Sequence, residues 1–293
     1  MPRDILTRIN RVRALTKPYY CQDTHKKNSS GRPKLLAACC MLTLCLTAPA
    51  QAALPLATDD TGTQGRLKFQ LETGAEFGWD RETSNGITTR KDSQSLNETV
   101  TAGLIDPLDL IVTLPFSWQQ VRVNDQKAYD DGGLNDLSLA LKWRFLELGP
   151  ASLAIKPAVT FPSGDNSRGL GAARPGYGAT LISTVEFKPV AVHANIGYTH
   201  QNYTEADKEA NRENLWNLSL ATAVEVMKGL QIVAEIATAT NGDKTSTTWP
   251  TFMTGGVIYS VIDNLDLSLG VKGGLNAPAT DIALLTGVTV RFP

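Results

Sequence analysis

The sequence predicts an all-β chain: a transmembrane antiparallel up-and-down β-barrel of about 12 strands, following a cleaved N-terminal signal peptide. Three observations predict it. The N-terminus carries an export signal, apolar side chains then recur with period two, and short connections alternate with long ones.

The export signal comes first. Residues 1–34 are polar and basic, with Arg3, Arg8, Arg11, Arg13, Lys17, Lys26, Lys27, Arg32 and Lys34 against Asp4 and Asp23. The apolar run Leu35 to Leu46 follows, then an A-x-A site at Ala50-Gln51-Ala52. A basic n-region, a short h-region and a small-residue cleavage site define a secretory signal. The apolar run is shorter than the roughly 20 residues a spanning helix needs. The n-region is long, which a start codon between Met1 and Arg32 would explain; sequencing the precursor N-terminus tests this. Leu36-Ala37-Ala38-Cys39 also resembles a lipoprotein-processing box, but almost no h-region precedes it. Mass spectrometry of the mature N-terminus separates lipidation of Cys39 from plain cleavage.

The expected organisation is a signal peptide at 1–52, a periplasmic N-terminal segment at 53–63 and the barrel at 64–293. Removing 1–52 leaves 241 residues with 19 basic and 27 acidic side chains, about eight net negative charges. Nucleic-acid binding needs a clustered basic face, so no nucleic-acid partner is expected. Cys21, Cys39, Cys40 and Cys45 all lie in the removed part, so the mature chain has no disulfide and no thiolate metal site.

The alternation begins at Leu67, with Phe69, Leu71, Ala75, Phe77 and Trp79 on one parity and Lys68, Gln70, Glu72, Glu76 and Asp80 on the other. Successive strand side chains point to opposite faces, so the segment has an apolar and a polar face. Similar stripes run through Leu110–Trp118, Leu137–Phe145, Leu153–Phe161, Tyr177–Phe187, Val192–Tyr198, Trp216–Val226, Leu230–Ile236, Val257–Tyr259, Leu265–Val271 and Ile282–Phe292. A weaker stripe lies at Leu96–Leu104. Most are longer than strands of soluble sheets.

Tight connections are expected at Asp106-Pro107, Gly149-Pro150, Lys188-Pro189, Lys228-Gly229 and Asp263-Asn264. Longer polar loops are expected at 81–92, 124–133, 162–174, 201–213, 241–248 and 275–280. This asymmetry is the outer-membrane layout of a Gram-negative bacterium, with both termini periplasmic and outer-membrane lipid around the wall. Aromatic residues cluster at both ends of the strands, as membrane girdles do. Period alone leaves open which face is outside, since a lipocalin-like soluble barrel would place the apolar set inward. Strand length, strand number and loop asymmetry favour the apolar face outward. Glu98 shares the parity of Leu96 and Val100, so either a β-bulge near Asn97 or a different register is needed to turn it inward.

Three motifs carry a family resemblance. They are Thr58-Asp59-Asp60-Thr61-Gly62-Thr63-Gln64-Gly65 running into Leu67–Glu72, then Gly132-Gly133-Leu134-Asn135-Asp136 leading to Lys142-Trp143-Arg144-Phe145, and Phe161-Pro162-Ser163-Gly164-Asp165. Together they resemble the outer-membrane barrels of the MetA-pathway of phenol degradation family. Asn135 stands where glycine would be expected. The resemblance implies a barrel that passes small organic or aromatic solutes. The last strand ends on Phe292, the terminal aromatic read by the barrel-assembly machinery, although Pro293 follows.

Some twelve-stranded barrels are phospholipases using Ser, His and Asn, and nucleophilic catalysis needs a base near its nucleophile. His193 falls on the polar face and His200 at a loop, neither within a phospholipase-like motif. No catalytic residue, cofactor or metal site is assigned. The candidate lumen-lining residues are Arg66, Lys68, Glu72, Glu76, Lys142, Arg144, Lys156, Glu186, His193, Glu225, Glu235, Lys272 and Arg291. Rings of such charges set solute preference in an open pore, or pair to close a narrow one. Three functions stay open: a channel for small solutes, a plugged barrel whose loops bind a partner, and a lipid-modifying enzyme.

Overall fold

The computed structural model describes residues 54–293, all within the barrel; the signal-peptide assignment and Cys39 lie outside the described residues. The first strands are β1 (Phe69–Ser84), β2 (Ile87–Ile105), β3 (Leu108–Val123), β4 (Gln126–Leu134), β5 (Leu137–Leu148), β6 (Ala151–Phe161) and β7 (Gly176–Phe187). The remainder are β8 (Val190–Gln201), β9 (Asn214–Met227), β10 (Leu230–Ala239), β11 (Thr251–Ile262), β12 (Leu265–Gly274) and β13 (Ile282–Phe292). Neighbours pair antiparallel, and β1 pairs with both β2 and β13, which closes the ring.

The thirteen segments make twelve wall strands. β3 pairs β5 from Leu108–Trp143 to Thr113–Ser138, then β4 from Phe116–Leu134 to Val123–Gln126. β4 and β5 are one strand broken at Asn135-Asp136. The break faces Pro115, whose ring nitrogen cannot donate to a ladder. The Asn135 N–H bridges it by donating to the Pro115 carbonyl at 2.8 Å.

The five expected tight turns each occupy two residues between consecutive strands. Two of the six expected long loops are instead hairpin arms. β1 and β2 pair up to Ser84–Ile87 around Asn85-Gly86, with φ of 51° and 76°. β3 and β4 turn at Asn124-Asp125, with φ of 49° and 64°. Left-handed φ at both central residues marks the type I′ turn that suits the twist of paired strands. The polar composition of 81–92 and 124–133 reflects strands that rise above the apolar band.

The first strand starts at Phe69, later than the expected start near Gln64. Leu67 turns the chain with φ of 61°, and its N–H donates to the Gly103 carbonyl at 2.8 Å.

The apolar stripes face outward. Leu71, Phe77, Leu141, Leu181, Ile196, Leu220, Ile232, Leu269 and Val288 are exposed, while Gln70, Thr184, His193, Asn195, Glu235, Thr254 and Thr289 are buried inside. This inverts a soluble barrel's arrangement and suits a wall bathed in lipid. Trp79, Trp118 and Trp216 stand outward near the loop ends; Trp143, Phe145, Phe187 and Phe292 stand outward near the turn ends. Glu98 needs correcting: no bulge occurs near Asn97, and pairing is continuous there on both sides. Glu98 stays on the outer face opposite Thr73, whose hydroxyl donates to its carboxylate at 2.7 Å.

Candidate functional site: the lumen and its N-terminal plug

Residues 53–63 are expected in a periplasmic segment, yet residues 54–63 run inside the wall as a plug. Its first residues are apolar and seated on glycines. A Cβ on Gly74 or Gly287 would come within 2.8 or 2.6 Å of the Leu54 side chain. A Cβ on Gly256 or Gly270 would come within 2.8 or 2.7 Å of Pro55 Cγ. The wall strands β1, β11, β12 and β13 are therefore cut back to backbone where the plug lies. Leu56 packs into a small apolar cluster with Ala221, Ala223, Val233 and Ile258.

The next residues are polar and meet polar wall side chains. Thr58 donates its N–H and its hydroxyl to Glu235 Oε1, each at 2.6 Å. Asp59 reaches two strands, with Lys142 Nζ at 3.3 Å and Lys156 Nζ at 2.6 Å. Asn195, its amide oriented to suit its neighbours, accepts from the Asp59 N–H at 2.7 Å and donates to the Asp59 carbonyl at 3.0 Å. Asp60 lies 4.0 Å from Lys142 Nζ and accepts from the Gly62 N–H at 2.5 Å. The Thr61 N–H donates to the Thr184 hydroxyl at 3.1 Å, and that hydroxyl meets His193 Nδ1 at 3.0 Å. The Gln64 N–H donates to the Asp109 carboxylate at 3.0 Å.

Electrostatics divides the two plug acids. Burial pushes the Asp59 carboxyl upward, but the ammonium groups of Lys142 and Lys156 outweigh it and hold Asp59 well below the usual range. Burial also pushes Asp60 upward, and there it prevails over Lys142, so Asp60 sits above the usual range. Asp59 is the ionic anchor, and Asp60 is a carboxyl docked at some electrostatic cost.

Two cavities flank the plug. The larger, about 230 Å³, lies between residues 54–60 and the β1–β3 wall, with Glu72, Thr99, Thr113, Lys142 and Lys156 in its lining. The smaller, about 170 Å³, is lined by Leu54, Pro55, Glu76, Phe252 and Lys272 among others. A cavity of about 150 Å³ holds a benzene ring.

A closed twelve-strand wall, a threonine- and aspartate-rich segment in its lumen and residual space beside it define the geometry. Residues 56–292 match the family described as "Putative MetA-pathway of phenol degradation".

The chain belongs to this family.

As an outer-membrane β-barrel of the phenol-degradation family, it is also similar to solved barrels. The COG4313 outer membrane channel from Pseudomonas putida F1 aligns with a TM-score of 0.64 and 15% identity, over 80% of this chain and 98% of that one. The NanC porin aligns with a TM-score of 0.48 and 9% identity, over 77% of this chain and 99% of that one. At such identities the likeness of the channel speaks to the fold. No curated protein matches the chain in sequence.

Within this family member, the candidate lumen residues divide into groups. Lys142, Lys156 and Glu235 grip the plug. Glu76 pairs with Lys272 at 2.5 Å, and Lys272 Nζ stands 5.1 Å from the Phe252 ring centre. Glu72 borders the larger cavity. Arg291 pairs with Asp266 at 2.5 Å, and Arg144 with Glu147 at 3.5 Å. His193 is buried beside Thr184. Arg66, Lys68, Glu186 and Glu225 are exposed at the turn-side rim and are not brought together with the plug.

Sequence reasoning missed Asp59 and Asp60 as lumen groups, along with Asp109 and Asp266. A signal was available: the wall supplies inward lysines at 142 and 156, and the motif 58–65 supplies two acids with no strand alternation of its own. Buried charges need partners.

Proposed function

We propose that the protein is an outer-membrane channel, or facilitator, for small organic and aromatic solutes, with its resting lumen filled by its own N-terminal segment. One observation carries this reading. The space inside the wall is filled by the segment ahead of β1, held through ion pairs and hydrogen bonds, with cavities of solute size beside it. A segment that meets the wall strands through side-chain contacts and a tether into β1 can swing away, whereas wall side chains cannot. The family description and the description of the Pseudomonas putida barrel as an outer membrane channel support the same reading.

In this reading both termini face the periplasm, where the five two-residue turns also lie. Phe292 stands on the outer face, paired with Phe69, and supplies the terminal aromatic for the assembly machinery. The chain acts without chemistry on its solute. Thr184 and His193 are a hydroxyl and a base in contact, but both are buried under Thr61 and neither meets either cavity. His200 is engaged with Asn214 and the Tyr177 ring.

The test is uptake of radiolabelled phenol and toluene by whole cells, whose lipopolysaccharide layer slows apolar solutes, with and without the protein. Faster uptake with the folded barrel is expected. Equal uptake with the barrel folded in the outer membrane would refute the channel.

A further inference from the structure

The β5–β6 ladder has a gap at mid-height. Its rungs run from Leu137–Phe161 to Ala140–Ala158 and resume at Trp143–Ile155. Between them one hydrogen bond is absent, the one that an N–H at Pro157 would give to the Leu141 carbonyl; Lys142 and Lys156 lie opposite each other at a position that carries no bond across this seam. The same number of residues lies on each strand, so this is a gap without a slip and not a bulge. The other irregularities along the paired strands are register shifts beside turns, one of them in this same ladder between Arg144 and Leu146, or in the β3–β4 hairpin. The interruption at Pro115 is bridged by Asn135.

The cause of the gap is local. Pro157 has no N–H to give, and proline is otherwise confined to edges and bulges of sheets. On its other side β6 stays fully paired, with Lys156 opposite Thr180 and Pro157 opposite Ala179. The weakness is therefore confined to the β5–β6 seam. A carbonyl left without its donor at membrane depth is tolerated beside a cavity, and the neighbouring Lys142 and Lys156 both line the larger cavity.

The two faces of the seam differ in chemistry. Outside are Leu141 and Pro157, flanked by Leu139, Ile155 and Val159, all exposed and apolar. Inside are two ammonium groups from opposed positions, both held by Asp59. Like charges directly opposite on neighbouring strands repel, and the Asp59 carboxylate offsets that repulsion from within.

We propose that the β5–β6 seam is a lateral passage through which small neutral aromatic solutes move between the larger cavity and the membrane interior, with Asp59 as its clasp. The proposal rests on the channel reading. When the plug withdraws, Lys142 and Lys156 lose their shared counter-charge at the place where the wall lacks a hydrogen bond, and the seam parts. Solute class follows from the two faces. An aromatic ring is attracted by its face to an ammonium and is then released among Leu141, Pro157 and Val159. Inorganic ions gain nothing from that exit and follow the barrel axis.

A disulfide across the seam tests this. Residues 53–293 hold no cysteine, so Leu139→Cys with Val159→Cys, the outward pair on the rung bordering the gap, introduces the sole pair and leaves Pro157 in place. Opposed cross-strand positions lie close enough to bridge. Whole cells carrying the double variant are compared oxidised and reduced for radiolabelled toluene uptake, and the purified barrel for potassium chloride conductance in planar bilayers. Oxidation is expected to lower uptake to that of cells lacking the protein, reduction to restore it, and conductance to stay within twofold throughout. Uptake unchanged by oxidation overturns the seam. A parallel fall in uptake and conductance also overturns it, since solute and ions would then share the axial path, and the channel reading would survive. If the unmodified protein raises no uptake, the channel reading itself fails. Pro157→Val, which restores an N–H without any cross-link, is a second variant. It is expected to slow toluene uptake several-fold with conductance unchanged, and unaltered uptake would count against the passage.

Discussion

Thr58 is bound twice to Glu235, through its N–H and its hydroxyl on one carboxylate oxygen, each at 2.6 Å. The neighbouring Ala57 N–H reaches the other oxygen at 3.3 Å. One wall carboxylate thus fixes the height of the plug. A hydrogen bond to a charged group is worth about 1.5–3 kcal/mol. Glu235→Ala should raise the undocked fraction of the plug by roughly tenfold or more. Faster protease cleavage within residues 54–63, with the barrel still resistant, is the readout.

Asp59 joins β5 to β6 through Lys142 and Lys156. Removing one member of a buried ion pair costs about 3–5 kcal/mol. Asp59→Asn should therefore undock the plug more than Glu235→Ala does, and single-channel recordings should show longer open times.

Acidification acts on the two plug acids in opposite senses. Burial raises the Asp59 carboxyl but the two lysines hold it low, so its docked value lies below its undocked one. Its contribution to docking is complete above the ordinary carboxyl value of about 4 and is lost as pH falls below that. Asp60 is raised by burial, so its contribution is present at low pH and is lost as pH rises through its raised value. Asp60→Asn should make acid release of the plug steeper, and Asp59→Asn should abolish it. Cleavage rates between pH 3 and 7 decide; identical profiles for both variants would contradict the assignment.

Backbone contact seats the ends of the plug. A Cβ on Gly103 would lie 1.8 Å from the Gly65 carbonyl oxygen, and one on Gly270 lies 2.7 Å from Pro55 Cγ. Neither obstacle is a flexible side-chain end. Gly103→Ala and Gly270→Ala should displace the segment while the barrel still shows folded, heat-modifiable migration on gels.

On the loop side, Asp136 accepts from the Gly164 N–H at 2.9 Å and the Ala172 N–H at 2.8 Å, pinning both ends of one loop. Arg168 in that loop grips Asp131 and the Gly132 carbonyl of the β4 arm. Asp136→Ala should expose residues 162–174 to protease without lowering barrel stability appreciably. Hydrogen exchange of the Gly164 and Ala172 amides is the direct check.

Much of the wall was legible in the sequence because lipid outside and water inside impose a strict period of two. The turns at Gly149-Pro150 and Lys228-Gly229 were legible for the same reason, since proline and glycine break that period. What stayed hidden did so for physical causes. Polar hairpin arms at 81–92 and 124–133 look like loops, because above the membrane neither face of a strand needs to be apolar; only Asn85-Gly86 betrayed a tight turn. Glu98 follows the register of its strand against its own solvation cost, and its partner Thr73 lies on the neighbouring strand. The plug has no period, so its place in the lumen emerges only when Asp59 is set against Lys142 and Lys156, which are distant in sequence. The gap at Pro157 shows only once β5 is aligned beside β6.

On the channel reading, the N-terminal segment closes a passage that the wall leaves open. Single-channel conductance of the barrel lacking residues 54–63, compared with the intact mature chain in planar bilayers, tests it most directly. A conductance several-fold larger and steadily open is the predicted result. A deletion variant that folds and yet conducts no more than the intact chain would mean that the segment closes nothing.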